Sequence, residues 1–181
     1  NAIFSGMIPN KIEQMFPELW VDEDSEDGKN INESPLIQTH LDRYRRKHSY
    51  SYNKLNNSSA GDKLISQFNN LLNNDLNVIV VNFIDILSHA KTDSKMVREL
   101  AQDEAAYRSL ILSWFRHSSV KELFRRLSMT DYKVMITTDH GSIMVNKAVK
   151  IAGDKNTNTN LRYKLGRNLG FNPKEIFEIS E

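Results

Sequence analysis

Cysteine is absent from the sequence. That excludes disulfides, a thiolate nucleophile and cysteine-ligated zinc. Long apolar runs are absent too. The longest, Val78-Ile79-Val80-Val81, is broken by Asn82 before Phe83 and Ile84, against the ~20 residues needed to span a bilayer. The first nine residues lack a basic stretch followed by an apolar one, so they do not read as a secretory signal. These absences fit a cytoplasmic protein with no membrane insertion. There is also no surplus of one charge. Lys and Arg number 24 against 23 Asp and Glu, for a net charge of +1 and a pI near 8.1. That balance does not by itself point to nucleic acid. No internal repeat is found.

What is present suits one globular domain over residues 1–181, with 39% hydrophobic and 26% charged residues. Charge is uneven along the chain. Residues 22–27 are strongly acidic and residues 43–48 strongly basic. The plain reading is a solvated loop and a solvated helix end. The alternative is nucleic-acid binding through Arg43, Arg45, Arg46 and Lys47, with Tyr44, Tyr50 and Tyr52 available for stacking. Asn1 is not a methionine, and Glu181 follows the apolar stretch 176–179. The chain therefore reads as an internal piece of a longer polypeptide.

Apolar periodicity predicts a helix opening at Pro9-Asn10, short or broken because Pro17 interrupts it. Residues 22–35 read as an exposed loop and 36–48 as a helix. Residues 49–62 are rich in Ser, Asn and Tyr and end in a turn at 58–62; a helix then covers 62–72. Residues 78–84, almost wholly apolar and β-branched, predict a strand buried on both faces of a parallel sheet. Helices follow at 95–101, 103–116 and 119–127. A second buried strand is predicted at 134–138, and shorter strands at 143–145 and 149–152. Strand, helical crossover and strand make an α/β fold, a mainly parallel sheet flanked by helices.

Open α/β sheets bind ligands beyond the carboxyl ends of their strands. The first predicted strand runs into Asp85, with His89 four residues on; the second runs into Asp139-His140-Gly141. Neighbouring strands lie ~5 Å apart, so these four side chains could converge on two metals ~3.5–4 Å apart. Carboxylate with imidazole suits zinc and admits manganese. Gly141 would let the backbone turn away from a crowded centre. The plainer alternatives are that Asp85 caps a helix carrying His89, and that Asp139 is a turn residue. His40 reads as a packed histidine, His48 as exposed, and His117 as a helix C-terminal residue.

Asp85-x-x-x-His89 and Asp139-His140-Gly141 resemble the alkaline phosphatase superfamily. The closer likeness is to the PglZ domain of PorX-like response regulators, linked to type IX secretion. It is carried by Asn1-Ala2-Ile3-Phe4-Ser5-Gly6, Asn82-Phe83-Ile84-Asp85, Ser88-His89-Ala90-Lys91-Thr92, Ala105-Ala106-Tyr107-Arg108-Ser109, Ser113-Trp114-Phe115, Thr137-Thr138-Asp139-His140-Gly141 and residues 156–163.

The resemblance implies an alkaline-phosphatase-like fold, incomplete in this chain. Asp85 and His89 would bind one zinc ion and Asp139 and His140 a second, with phosphoester hydrolysis at a serine or threonine between them. That nucleophile and a further aspartate ligand would precede Asn1. A further histidine ligand would follow the last residue, so the chain alone is expected to be inactive. Arg162, Lys164 and Arg167, after the polar loop 156–160, are candidates for holding an anionic substrate. The expected partners are a phosphoester or nucleotide substrate, an upstream receiver domain and a second copy in a homodimer. The competing expectation is a non-catalytic signalling module that keeps the fold.

Overall fold

The computed structural model describes residues 1–21, 31–141, 145, 147–158 and 163–179. The chain divides into two compact units, Asn1–Asp139 and His140–Glu181.

The first unit is mixed α/β. It opens with α1 (Ala2–Ser5) and α2 (Pro9–Met15). Pro9 starts α2 where an N–H has no intrahelical partner to lose. The helix stops before Pro17, which opens a 3-10 turn at Pro17–Leu19, so the expected break is present. Helix α3 (Glu33–Arg43) begins earlier and ends sooner than its apolar pattern suggested. Of the expected 22–35 loop, 22–30 lie outside the described residues and 33–35 are helical. After α3 the chain turns at Arg45, which takes a left-handed φ of 54°.

The parallel sheet is built from β1 (Tyr50–Leu55) and β2 (Leu76–Val81), in register from Tyr50 opposite Leu76 to Leu55 opposite Val81. Strand β1 was not expected, because its Ser and Asn residues resemble a loop. Ser51 finds its partner across the ladder: its Oγ donates to Asn77 Oδ1 at 2.6 Å, opposite it in register. Alternation then sorts the rest. Tyr50, Tyr52 and Lys54 meet α3, and Leu55 enters the core on the other face.

The crossover from β1 to β2 is α4 (Ser58–Ser66) and α5 (Phe68–Leu71). Residues 58–62, read as a turn, open α4 because the Asn57 side chain accepts from the Ala60 N–H at 2.9 Å. Beyond β2 come α6 (Phe83–Asp93), α7 (Lys95–Leu100), α8 (Glu104–His117) and α9 (Ser119–Leu127). The last three match their periodicity. The strand expected at 78–84 ends at Val81, and its last two residues belong to α6. It is also half-buried throughout residues 77–81 rather than buried on both faces.

One core joins Leu55, Leu64, Phe68, Leu71, Val120 and Leu123, with Ile79, Val81 and Trp114 packed on it. Helix α9 supplies Val120 and Leu123 from one stripe and keeps Arg125 exposed and Glu122 half-buried. A second packing centre lies between α1, α2 and α3, where Ile12, Leu36 and Ile37 are buried. Gly6 closes α1 at φ +61°; a Cβ there would stand 2.7 Å from His40 Cε1, so only glycine allows this turn.

The second predicted strand does not form. Residues 131–138 carry no regular structure, and Met135 and Ile136 are 89% and 77% exposed. A strand needs a neighbour's ladder and a surface for its apolar face. Among the described residues β2 pairs with β1, and 134–138 finds neither.

The described residues of the second unit are mainly irregular. Ala152 and Gly170 form an antiparallel bridge, with N–H···O bonds of 2.8 and 2.7 Å. No strand forms at 149–152 apart from that bridge, and 143, 144 and 146 lie outside the described residues.

Candidate metal centre

The two parallel strands deliver their carboxyl ends side by side. Asn82, just past β2, donates from its backbone N–H to Leu55 O at 3.2 Å. Its Nδ2 donates to Asn56 Oδ1 at 2.7 Å. Helix α6 starts there and places Asp85 in its first turn, where the positive end of the helix dipole favours a carboxylate.

His89 follows one turn later on the same face. Its Nε2 is 3.6 Å from Asp85 Oδ1, and the two side chains are 75% and 53% exposed. Bonds of ~2.0–2.2 Å in a tetrahedral zinc site put two donors about 3.4 Å apart. The observed spacing therefore suits two ligands of one ion. Among the described residues no third Asp, Glu or His joins them in a group able to hold a metal. A reason is visible in the fold: 134–138 is not laddered beside β2, so Asp139 is not carried to the strand edge by a neighbouring strand.

Asp139 closes the first unit and His140 opens the second. Both are exposed, and His140 Nδ1 lies 3.2 Å from Gly141 O. Gly141 does not take a positive φ, and no described residue lies within 4 Å of the place a Cβ would take.

In the second unit, Arg167 lines a pocket of about 340 Å³ with Asp154, Asn156, Leu165 and Gly166. The Asp154 carboxylate shares that space, which weakens its appeal to an anion. Lys164 Nζ is spent on Asn158 O at 2.9 Å. Arg162 lies outside the described residues.

The remaining histidines stand where their patterns put them. His40 Nδ1 is 2.8 Å from Phe4 O, with its ring beside Tyr44. His48 is half-exposed near Asp75, and His117 Nδ1 lies 2.7 Å from Ser113 O at the end of α8. The stacking surface expected beside the basic run is reduced. Tyr50 donates its hydroxyl to Ser34 O and Tyr52 donates to Glu33, leaving Tyr44 exposed. A cleft of about 450 Å³ lined by Phe4, His40, Tyr44, Arg46, Leu76 and Val78 lies at the start of β2. Asp85 follows the other end of that strand, so this cleft is not where the carboxylate and imidazole meet.

The support of α6 was not read from the sequence. Phe83 stacks on Trp114, Tyr107 donates to Ile84 O at 3.3 Å, and the Lys91 ammonium lies 5.4 Å from the centre of the Tyr107 ring. Tyr107 and Trp114 are seven residues apart, two turns of α8, and that spacing was the available signal.

The sequence model of one family, described as the BREX system PglZ alkaline phosphatase-like domain, matches residues 1–181. Comparison with curated proteins found no match.

Proposed function

The chain belongs to the family of PglZ alkaline phosphatase-like domains, and from that premise we propose that it contributes metal ligands to a phosphoester hydrolase. In this reading the 181 residues form one domain. Asp85 and His89 hold one metal, and Asp139 and His140 the second. Zinc is the first choice, with manganese accepted, because carboxylate and imidazole suit both. When bound, two such ions neutralise phosphoryl charge and activate a nucleophile. Asp85 and His89 are oriented by α6, on an open face where water or a phosphate oxygen can complete the coordination. Arg162 and Arg167, with Lys164 once it leaves Asn158 O, hold the anionic group of a phosphoester or nucleotide. No nucleophile is assigned within these residues.

The observation that carries this reading is the 3.6 Å approach of Asp85 Oδ1 and His89 Nε2 just beyond the end of a parallel strand. The test is titration with zinc and manganese of the wild-type chain, Asp85→Asn, His89→Ala, Asp139→Asn and His140→Ala. Hydrolysis of bis(p-nitrophenyl) phosphate is measured for the full-length protein. Each substitution is expected to weaken metal binding at least tenfold. Unchanged metal binding in all four would defeat the assignment.

The finer biological setting rests on the segment likeness to PorX-like proteins: a cytoplasmic response regulator with an upstream receiver domain, able to form a homodimer and linked to type IX secretion. The matched family's description names a BREX system instead. Acetyl-phosphate labelling of an aspartate in the full-length protein would separate the two settings. One observation favours a second reading, a non-catalytic signalling module: the described residues gather two donors and no third. Metal binding without hydrolysis in the full-length protein would select it.

A further inference from the structure

Tyr107 touches α6 on both sides of the Asp85–His89 pair. Its hydroxyl donates to Ile84 O at 3.3 Å. That carbonyl belongs to the peptide unit whose nitrogen is Asp85's, so the bond holds the backbone from which the Asp85 side chain springs. Two residues past His89, the Lys91 ammonium lies 5.4 Å from the centre of the same ring. Helical side chains lean towards the helix N-terminus, so Lys91 reaches back along the helix to the ring. One side chain of α8 thus engages α6 before the carboxylate and after the imidazole. Trp114, two turns further along α8, stacks on Phe83 at the first residue of α6.

We propose that Tyr107 is a positioning residue for the Asp85–His89 ligand pair. The proposal rests on reading those two residues as metal ligands. Both are well exposed, so solvent-side packing does not fix their rotamers, and the regularity of the first turns of α6 sets how closely the two donors can approach. A ligand pair held ready spares the cost of ordering when a metal binds. Removing the hydroxyl leaves the ring, the contact with Lys91 and the packing of α8 in place. It takes away one hydrogen bond to the peptide ahead of Asp85, which stays within the helix.

The experiment uses the full 181-residue chain, labelled with nitrogen-15 and titrated with manganese. Paramagnetic broadening reads weak as well as tight binding. Wild type, Asp85→Asn and Tyr107→Phe are compared for broadening at the amides of residues 85–89, for amide exchange in α6, and for melting temperature. The expected result is broadening centred on Asp85 and His89 in wild type and lost in Asp85→Asn. In Tyr107→Phe the manganese concentration for half-broadening should rise about threefold to tenfold, the range for loss of one hydrogen bond. Amide exchange in the first turns of α6 should quicken, with little change in melting temperature.

A merely structural tyrosine would lower the melting temperature and leave the manganese titration unmoved, which overturns the proposal alone. No local broadening in wild type, or broadening that survives Asp85→Asn, overturns the ligand reading and the proposal with it. Should Tyr107→Phe be too unstable to titrate, the comparison moves to Lys91→Met. This change keeps the hydroxyl bond and removes the cation from the ring. A full-strength titration there, in a variant whose α6 amides exchange faster, also overturns the proposal; a weakened one supports it.

Discussion

The rings of Phe83 and Trp114 lie face to face, with centroids 4.2 Å apart and planes 1° from parallel. Phe83 is the first residue of α6, and Trp114 packs on the main core from α8. The stack therefore ties the helix bearing the candidate ligands to the best-packed part of the first unit.

A double-mutant cycle measures that tie. Phe83→Ala and Trp114→Ala should each destabilise the chain, Trp114→Ala by about 2–4 kcal/mol because it also opens the core. The coupling between them should be about 0.5–1.5 kcal/mol, as for an aromatic pair beyond its area burial. Urea denaturation of the four proteins checks this. Strictly additive losses would mean the rings touch without interacting.

A second prediction concerns acid. Hydrogen bonds from Arg125 and then Arg126 hold the Glu122 carboxyl at about 2, against an ordinary value of 4.5. The bonds are short, at 2.6 Å from Arg125 Nε and 2.8 Å from Arg126 Nε. The folded state therefore favours the ionised carboxylate. Its contribution is complete above pH 4.5 and is lost as the pH falls towards 2. Glu122→Gln should flatten the melting-temperature profile over that interval. The effect should be small and shrink in high salt, because the ion pair is open to solvent on one side. An unchanged acid limb would disprove it.

Glu33 and Lys54 form an ion pair at 2.9 Å, with Glu33 almost fully buried and Tyr52 donating its hydroxyl to the same carboxylate. Burial, the hydrogen bond to Glu33 and the charge of Glu33 all raise the Tyr52 pKa. Glu33→Ala leaves the Lys54 ammonium and the Tyr52 hydroxyl short of their acceptor and should cost about 3–5 kcal/mol. Glu33→Leu with Lys54→Met should recover most of that loss, since both costly charges are then gone. Thermal melts of wild type and the two variants decide it. A double variant no more stable than Glu33→Ala would contradict this account.

Legibility followed the kind of force involved. Helices α7, α8 and α9 and the break at Pro17 were read closely because spacing and proline geometry act within a few residues. The strand near 78–81 was legible for the same reason, though not its ladder partner. The strand at 50–55 was missed because its Ser51 is satisfied by Asn77, twenty-six residues away.

The sequence by itself determined which residues could bind a metal, and it put Asp85 and His89 one helical turn apart, since four-residue spacing returns a helix to the same face. It also determined that cysteine chemistry has no part here. Only the tertiary structure decided that β2 pairs with β1, that 134–138 stands exposed without a ladder, and that Tyr107 and Trp114 brace α6 from another helix. Strand pairing and helix bracing are long-range contacts. Their energy depends on which surfaces meet after the chain has folded, and local pattern does not encode that choice.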